Sequence, residues 1–381
     1  MYDAIIVGAR CAGASVGMLL ARRGHRVLIV DRAHFPSEIA QGHFIHRHGP
    51  RRLHDWGLGA RVAGMCPPIT ATTLDIGDFP LSSDGLIRDG IPLGYAPRRA
   101  HLDRLLLEAA IEAGADVRQG WTVDEFVTDD DRVVGVRGRH GDAHSLIEHA
   151  KVVVGADGRH SRLAKFVQAA MYECHESLTC WYFSYWDGVE ARGLEVYFRG
   201  PRVIFAFPTS DGLFGVFIGW RRDELPRVRS DIEREFMAVV DLVPDFSARL
   251  RAGTRAERFL GATDVPNFLR RPCGAGWALV GDAGCHKDPL LALGICDAFR
   301  DAERLANAID DGLSGGCPLD DALAAYWRDR DAATLEDYRR NLSAATLASP
   351  PAEELRMRAK VRGDGVATRQ YFWLRQGSRS D

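Results

Sequence analysis

Apolar and polar positions sort the first thirty-one residues into three elements. Asp3 to Val7 is a short β-rich run, Gly8 to Gly13 is a turn of small residues, and Ala14 to Arg23 repeats its apolar positions at helical spacing. Arg26 to Val30 then reads as a second strand, ended by Asp31. Strand, glycine turn, helix and strand in that order predict a βαβ unit of the dinucleotide-binding kind. Further on, Arg98 and Arg99 lead into Leu102, Leu105, Leu106, Ala109 and Ala110 at helical spacing, and Gly114 closes that helix. A strand near Asp116, a hairpin around Asp129 to Asp131 and the apolar run Val152 to Val154 return the chain to a parallel sheet.

The pattern changes at Trp181. Trp181, Tyr182, Phe183, Tyr185 and Trp186, followed by Val196 to Phe198, Val203 to Phe207 and Leu213 to Trp220, read as antiparallel strands. Phe205 and Phe207 share a face, which suits a sheet walling an apolar pocket, while any one of these aromatics is equally at home in a plain sheet core. Past Glu303 the spacing predicts helices over Leu305–Ile309 and Leu319–Tyr326 and onward through Leu342, a packing appendage with a solvated face at Arg328–Asp331 and a frayed tail over Arg375–Asp381. The expected class is α/β: a discontinuous Rossmann-type domain (1–75, 95–170, 270–310), an interleaved antiparallel-sheet domain (76–94, 171–269) and a C-terminal helical segment (311–381).

A length of 381 residues leaves room for two lobes, and 46% hydrophobic with 27% charged residues is ordinary for a globular enzyme. The formal net charge of -3 and the dispersed arginines favour neither nucleic acid nor an anionic surface as partner. Eight cysteines without CxxC spacing and without a signal-peptide pattern suggest a reducing cytoplasm, and no apolar run approaches the roughly 20 residues of a membrane span.

The glycine turn carries the first chemistry. It reads Gly8-Ala9-Arg10-Cys11-Ala12-Gly13, with arginine where the strict fingerprint has its middle glycine. Gly8 permits the tight turn, and Gly13 and Gly17 let the helix approach the sheet. The helix N-terminus then faces a pyrophosphate, Arg10 adds a charge or lies over the ligand's edge, and Asp31 accepts from an adenosine ribose. Two later strands, Val152–Val154 and Ala278–Val280, each end in a glycine and aspartate, Gly155-Ala156-Asp157-Gly158 and Gly281-Asp282-Ala283. Each places an aspartate at a strand's carboxyl end, where open α/β sheets bind ligands. Pro289 to Gly294 is a rigid neutral loop leading into a helix near Ile295, with backbone amides available to a ligand.

The glycine turn, Arg99 before a Leu-rich helix, the Asp157 motif, and Gly281-Asp282 followed by Pro289 and Gly294 stand in the order found in one family. The chain resembles the FAD-dependent monooxygenases of the aromatic-hydroxylase type and their geranylgeranyl-reductase-like relatives, over most of its length. The resemblance implies FAD as cofactor, with Asp282 on the ribityl chain, Asp157 organising FAD and a nicotinamide site, and Arg99 near the pyrophosphate, with Arg47 as a second candidate. Arg32, Val123, Gly294 and Ile295 complete the expected cofactor contacts, and Pro289 joins the candidate catalytic positions. Leu291 stands where many of these hydroxylases have glycine. The activity implied is hydroxylation of an apolar aromatic or polyketide-like molecule by O2 through a flavin hydroperoxide. NAD(P)H supplies electrons, directly or through a separate flavin reductase. Reduction of isoprenoid double bonds uses the same frame and is the alternative.

His43, His46 and His48 lie in one segment, and His286 precedes Lys287 and Asp288. Their spacing follows no recognised zinc or iron pattern, so no metal site is expected. His43, His46 or His286 facing the substrate as a base near neutral pKa is the sharper expectation, and exposed surface histidine the plainer one. Cys285 and Cys296 are too far apart in sequence for a flavin-linked dithiol, and a Trp-x-Trp-x-Ile-Pro segment of the halogenase kind is absent.

Overall fold

Residues 1–37, 39 and 41–376 are described by a computed structural model of the chain. The first strand, β1 (Tyr2–Val7), leads through a turn into α1 (Cys11–Arg22) and then β2 (Val27–Asp31). Strands β3 (Thr72–Asp75) and β4 (Pro80–Ser83) precede the Leu-rich helix α2 (Arg99–Glu112), which is followed by β5 (Asp116–Gln119). The hairpin of β6 (Trp121–Asp129) and β7 (Arg132–His140) feeds β8 (Leu146–Gly155). Four long strands follow, β9 (Thr179–Asp187), β10 (Leu194–Phe198), β11 (Arg202–Pro208) and β12 (Phe214–Arg221), and then the short β13 (Trp277–Leu279). Helices α3 (Gly294–Leu313), α4 (Leu319–Ala345), α5 (Ala352–Val361) and α6 (Gly365–Arg375) close the chain.

The first sheet runs β13, β8, β1, β2, β5, all parallel, with Ile5 of β1 between Val153 and Leu28. Its strands are apolar almost throughout because both faces are covered, as parallel sheets require. Helix α1 starts three residues before the periodicity indicates. The turn is completed by Gly8 at φ +106°, which leaves Arg10 extended as the N-cap and Cys11 already helical. Gly13 and Gly17 do allow close approach: a Cβ at Gly13 would lie 1.8 Å from the Gly8 carbonyl oxygen, and one at Gly17 2.4 Å from Ile29 Cδ1. Because β1, β8 and β13 are adjacent and parallel, Gly8, Asp157 and Asp282 leave the sheet at the same edge.

In the second sheet β9, β12, β11, β10, β3 and β4 follow in order, antiparallel except where β10 meets β3. Alternation along β9 divides its aromatics: Trp181, Phe183 and Tyr185 belong to one apolar cluster, and Cys180, Tyr182 and Trp186 to another that includes Phe236, Val240 and Phe246 from two helices behind the sheet. The expected domain limits shift accordingly. Strand β3 already pairs with β10, so the crossing into the second sheet precedes Thr72, and α3 runs unbroken past residue 310 to Leu313. Met171–His175, Asn267–Arg270 and Cys285–His286 form a small sheet of their own.

The C-terminal helices do more than pack on the outside. Ala345, Leu347, Tyr371 and Phe372 share an apolar cluster with Trp181 and Phe183, and the fully buried Arg358 of α5 holds Asp78 at 2.9 Å and the Leu74 carbonyl at 3.2 Å. Sequence pattern missed this because a buried arginine reads as a surface residue. Helix α6 extends through Arg375, and the rest of the expected tail, 377–381, lies outside the described residues. Among the described residues no helix is long and apolar enough to cross a membrane.

Candidate active site

A cavity of about 610 Å³ begins at the carboxyl edge of the parallel sheet and is walled on its far side by the second sheet. Gly8, Arg10, Cys11, Ala12, Asp31, Arg32, Arg99, Val123, Asp157, Gly281, Asp282, Gly294 and Ile295 all line it, as do His43, His286 and Pro289. Gly13 lies behind the wall, packed on Gly8.

Two helices start on this wall without a capping side chain, α1 after Arg10 and α3 after Leu293. The amides of their first turns are donors with no side-chain partner, the arrangement that receives an anion. Asp31 takes the Ala9 and Ala33 amides, each at 2.8 Å, and so ties the turn to the end of β2. Arg10 lies over the Phe35 ring and reaches Asp103 at 2.6 Å. Arg99 donates to Asp103 at 2.9 Å and to Gln41 at 2.6 Å. Burial works against the Arg99 charge, but Asp103 outweighs it and holds the guanidinium above its ordinary pKa. Asp103, fully buried, is the residue that sequence reasoning missed; its signal was the i,i+4 spacing from Arg99.

Residues 281–295 form the opposite side. Asp288 accepts Thr179 Oγ1–H at 2.6 Å and the Leu290 amide at 3.1 Å, while Thr179 accepts the Trp181 indole N–H at 2.6 Å. Asn267 takes the Asp288 amide at 2.7 Å, and Asn341 of α4 donates to the Asp288 carbonyl at 2.9 Å and accepts the Leu291 amide at 3.2 Å. The loop is thus gripped by three elements. Its left-handed non-glycine residue is Ala292, at φ +50°, and not Leu291, which therefore fits without strain. Burial lifts the Asp288 carboxyl to about 6. Asp157 caps the turn after β8 by accepting the Arg162 amide at 2.6 Å, and its other oxygen is buried without a partner.

Beyond the loop the cavity is aromatic: Trp181, Phe183, Phe205, Phe207 and Phe217 line it, with Phe183 stacked on Phe217 at 4.4 Å. His43 enters this box, 1% exposed, between Phe207, Phe217 and Tyr185. Its Nε2 lies 3.4 Å from Thr209 Oγ1, which donates to the Ala96 carbonyl at 2.6 Å, and its Nδ1 has no partner. Burial, and after it the Arg99 charge, push His43 down to about 3. That is well below the near-neutral value the sequence reading expected of a base.

The other histidines part company. His286 is buried, lines the cavity and has its Nδ1 on the Pro266 carbonyl. His46 lies outside the cavity, between Gln376 at 3.0 Å and the Leu291 carbonyl at 3.1 Å, lowered to about 4 by burial. His43 and His286 are thus buried and not on the exposed surface, and His46 does not line the cavity. Arg47 is also turned away: at φ +54° it binds Asp337 and the Gln376 carbonyl, among the C-terminal helices instead of at a pyrophosphate. Cys296 is buried on the His46 carbonyl, and all eight cysteines are free.

A glycine turn, two uncapped helix starts and an acidic residue after the second strand, set beside an aromatic chamber, define a dinucleotide-binding flavoprotein site. Residues 1–257 match the model of the FAD binding domain family, so the chain belongs to that family and is an FAD-dependent oxidoreductase. It is 26% identical over 342 residues to digeranylgeranylglycerophospholipid reductase 1 of Methanococcoides burtonii, covering 85% of this chain and 75% of that one. Against the 1H-pyrrole-2-carbonyl-[peptidyl-carrier protein] brominase of Pseudoalteromonas luteoviolacea it is 23% identical over 82% of this chain and 78% of that one. Among solved structures, the myxobacterial chondrochloren halogenase CndH superposes with a TM-score of 0.81 at 22% identity, over 96% of this chain and 90% of that one. PqsL of Pseudomonas aeruginosa, in complex with 2-aminobenzoylacetate, gives 0.73 at 22%, over 97% and 99%. At such identities these structures establish the fold.

Proposed function

We propose that the protein is a monooxygenase that hydroxylates an apolar aromatic or polyketide-like molecule, using O2 and electrons from NAD(P)H. The observation that carries this reading is the aromatic box opening directly into the dinucleotide cavity, with a neutral histidine acceptor in its wall. FAD would be held by the amides at the start of α1, by Asp31, by Arg99 and by Asp282, and it would supply electron transfer and oxygen activation. The chain's own part is positioning. Trp181, Phe183, Phe207 and Phe217 exclude water and hold a flat ring, and His43 accepts an O–H or N–H from it. With a pKa near 3, His43 orients that donor and leaves its proton in place.

A second reading is favoured by the reductases among the relatives: hydrogen addition across an isoprenoid or other C=C bond in the same chamber. The experiment is anaerobic and aerobic incubation of the FAD-loaded protein with NADPH or NADH and a panel of phenolic, polyketide and polyprenyl compounds. Substrate-dependent oxygen uptake with a product one oxygen heavier supports hydroxylation. A saturated product formed only without oxygen supports reduction instead. Under the first reading, His43→Ala removes one orienting hydrogen bond, worth about 1.4 kcal/mol, and lowers turnover by about tenfold with FAD content unchanged.

A further inference from the structure

Of the side chains that the second sheet contributes to the cavity, Trp181, Phe183, Phe205, Phe207, Phe217 and Ala262, only Trp181 carries a hydrogen-bonding atom. That atom is already engaged. The indole N–H donates to Thr179 Oγ1 at 2.6 Å, and Thr179, two residues back on the same face of β9, is fully buried. An indole nitrogen can only donate, so the Thr179 oxygen accepts and its own proton must go elsewhere. It goes to Asp288 Oδ2 at 2.6 Å, while Asp288 Oδ1 takes the Leu290 amide at 3.1 Å. No N–H or O–H of the series is left over for a ligand. The far end of the ring is fixed as well. Trp181 pairs with Gly219 of β12, and a Cβ at that glycine would lie 2.7 Å from Trp181 Cζ2, so the indole occupies the space that a side chain there would fill.

We propose that Thr179, oriented by Asp288, is a positioning residue that keeps the Trp181 N–H out of the chamber, so that the site favours molecules without a hydrogen-bond acceptor on the part that meets this wall. The proposal rests on the aromatic chamber being the substrate site, and it narrows the class of substrate that the chamber takes. An acceptor brought against the wall loses its water and gains no partner, which is the source of the discrimination. Released from Thr179, the same indole N–H becomes a donor for such an acceptor.

The test uses 2-naphthol and its hydroxyquinoline and hydroxyisoquinoline isosteres, which keep the shape and the hydroxyl and place one ring-nitrogen acceptor around the second ring. Dissociation constants are measured by equilibrium dialysis against the FAD-loaded protein at about pH 8, where Asp288, lifted by burial to about 6, is ionised. In Thr179→Val and Thr179→Ala the preference for 2-naphthol over at least one isostere falls about tenfold, the contribution of one hydrogen bond regained. Thr179→Ser keeps the wild-type preference within about threefold. A double variant, Thr179→Val with Trp181→Phe, has no N–H to release and keeps the preference too. An unchanged preference in a Val or Ala variant that still binds 2-naphthol overturns the proposal. So does an equal fall in the double variant, since loosened packing and not the freed N–H then admits the acceptor. A wild-type protein that binds none of these compounds contradicts the chamber as a substrate site, and the proposal falls with it.

Discussion

Replacing Asp103 by asparagine tests how the anion-binding end of the cavity is built. The carboxylate is fully buried, 2.6 Å from Arg10 and 2.9 Å from Arg99, and it also accepts the Cys11 thiol at 3.2 Å. Asparagine keeps the volume and one acceptor but turns an N–H2 toward a guanidinium. Breaking a buried ion pair from one side costs about 3–5 kcal/mol, and the retained acceptor places this change near about 3. For a chain of this size that is a fall of about 4 °C in the Tm of the FAD-free protein. The cofactor should respond in the opposite direction. Two guanidiniums and one carboxylate leave one net positive charge on the wall, and the variant leaves two. An anionic pyrophosphate is attracted more strongly, so the rise in Tm on adding saturating FAD is at least as large as in wild type. Differential scanning fluorimetry with and without FAD reads both effects. A variant whose FAD-free Tm lies within about 1 °C of wild type refutes the buried-pair argument. One that falls but gains nothing from FAD shows that Asp103 orients the arginines and that net charge is secondary.

Three further outcomes follow from the same geometry. Gly13→Ala drives a Cβ to 1.8 Å from the Gly8 carbonyl oxygen, costing about 1–3 kcal/mol or more and emptying the site, checked by Tm and the ratio of flavin to protein absorbance. Asp288, raised to about 6 when folded against an ordinary 3.8, contributes stability that is complete below about pH 4 and is lost as pH rises through about 6. The difference in unfolding free energy between wild type and Asp288→Asn therefore changes by about 3 kcal/mol across that window, measured by urea titration at several pH values; a pH-independent difference contradicts the assignment. Arg47→Ala leaves FAD affinity within about threefold of wild type while lowering stability, because its partners are Asp337 and Gln376; a collapse of FAD binding returns Arg47 to the cofactor site.

The parallel half of the fold was legible because its elements change period sharply: continuous apolar strands, a small-residue turn, and a helix with a four-residue repeat. The sheet edge shared by Gly8, Asp157 and Asp282 was legible for the same reason, since each stands within three residues of the end of an apolar run. What stayed hidden depends on contacts distant in sequence. Asp103 and Arg358 look like helix-surface charges until their partners at Arg10 and Asp78 are known. Arg47 and His46 sit in a segment without periodicity, and only the arrival of Gln376 and Leu291 decides which way they face. The His43 pKa could not be read from its neighbours in the chain, because burial among Phe207, Phe217 and Tyr185 sets it.

The most direct test of the central claim is equilibrium titration of the purified chain with FAD, followed by flavin absorbance and protein fluorescence, beside the Gly13→Ala variant. Stoichiometric binding to wild type, with flavin bands perturbed by the aromatic chamber and lost in the variant, is the predicted result. A wild-type protein that leaves FAD free in solution contradicts the account.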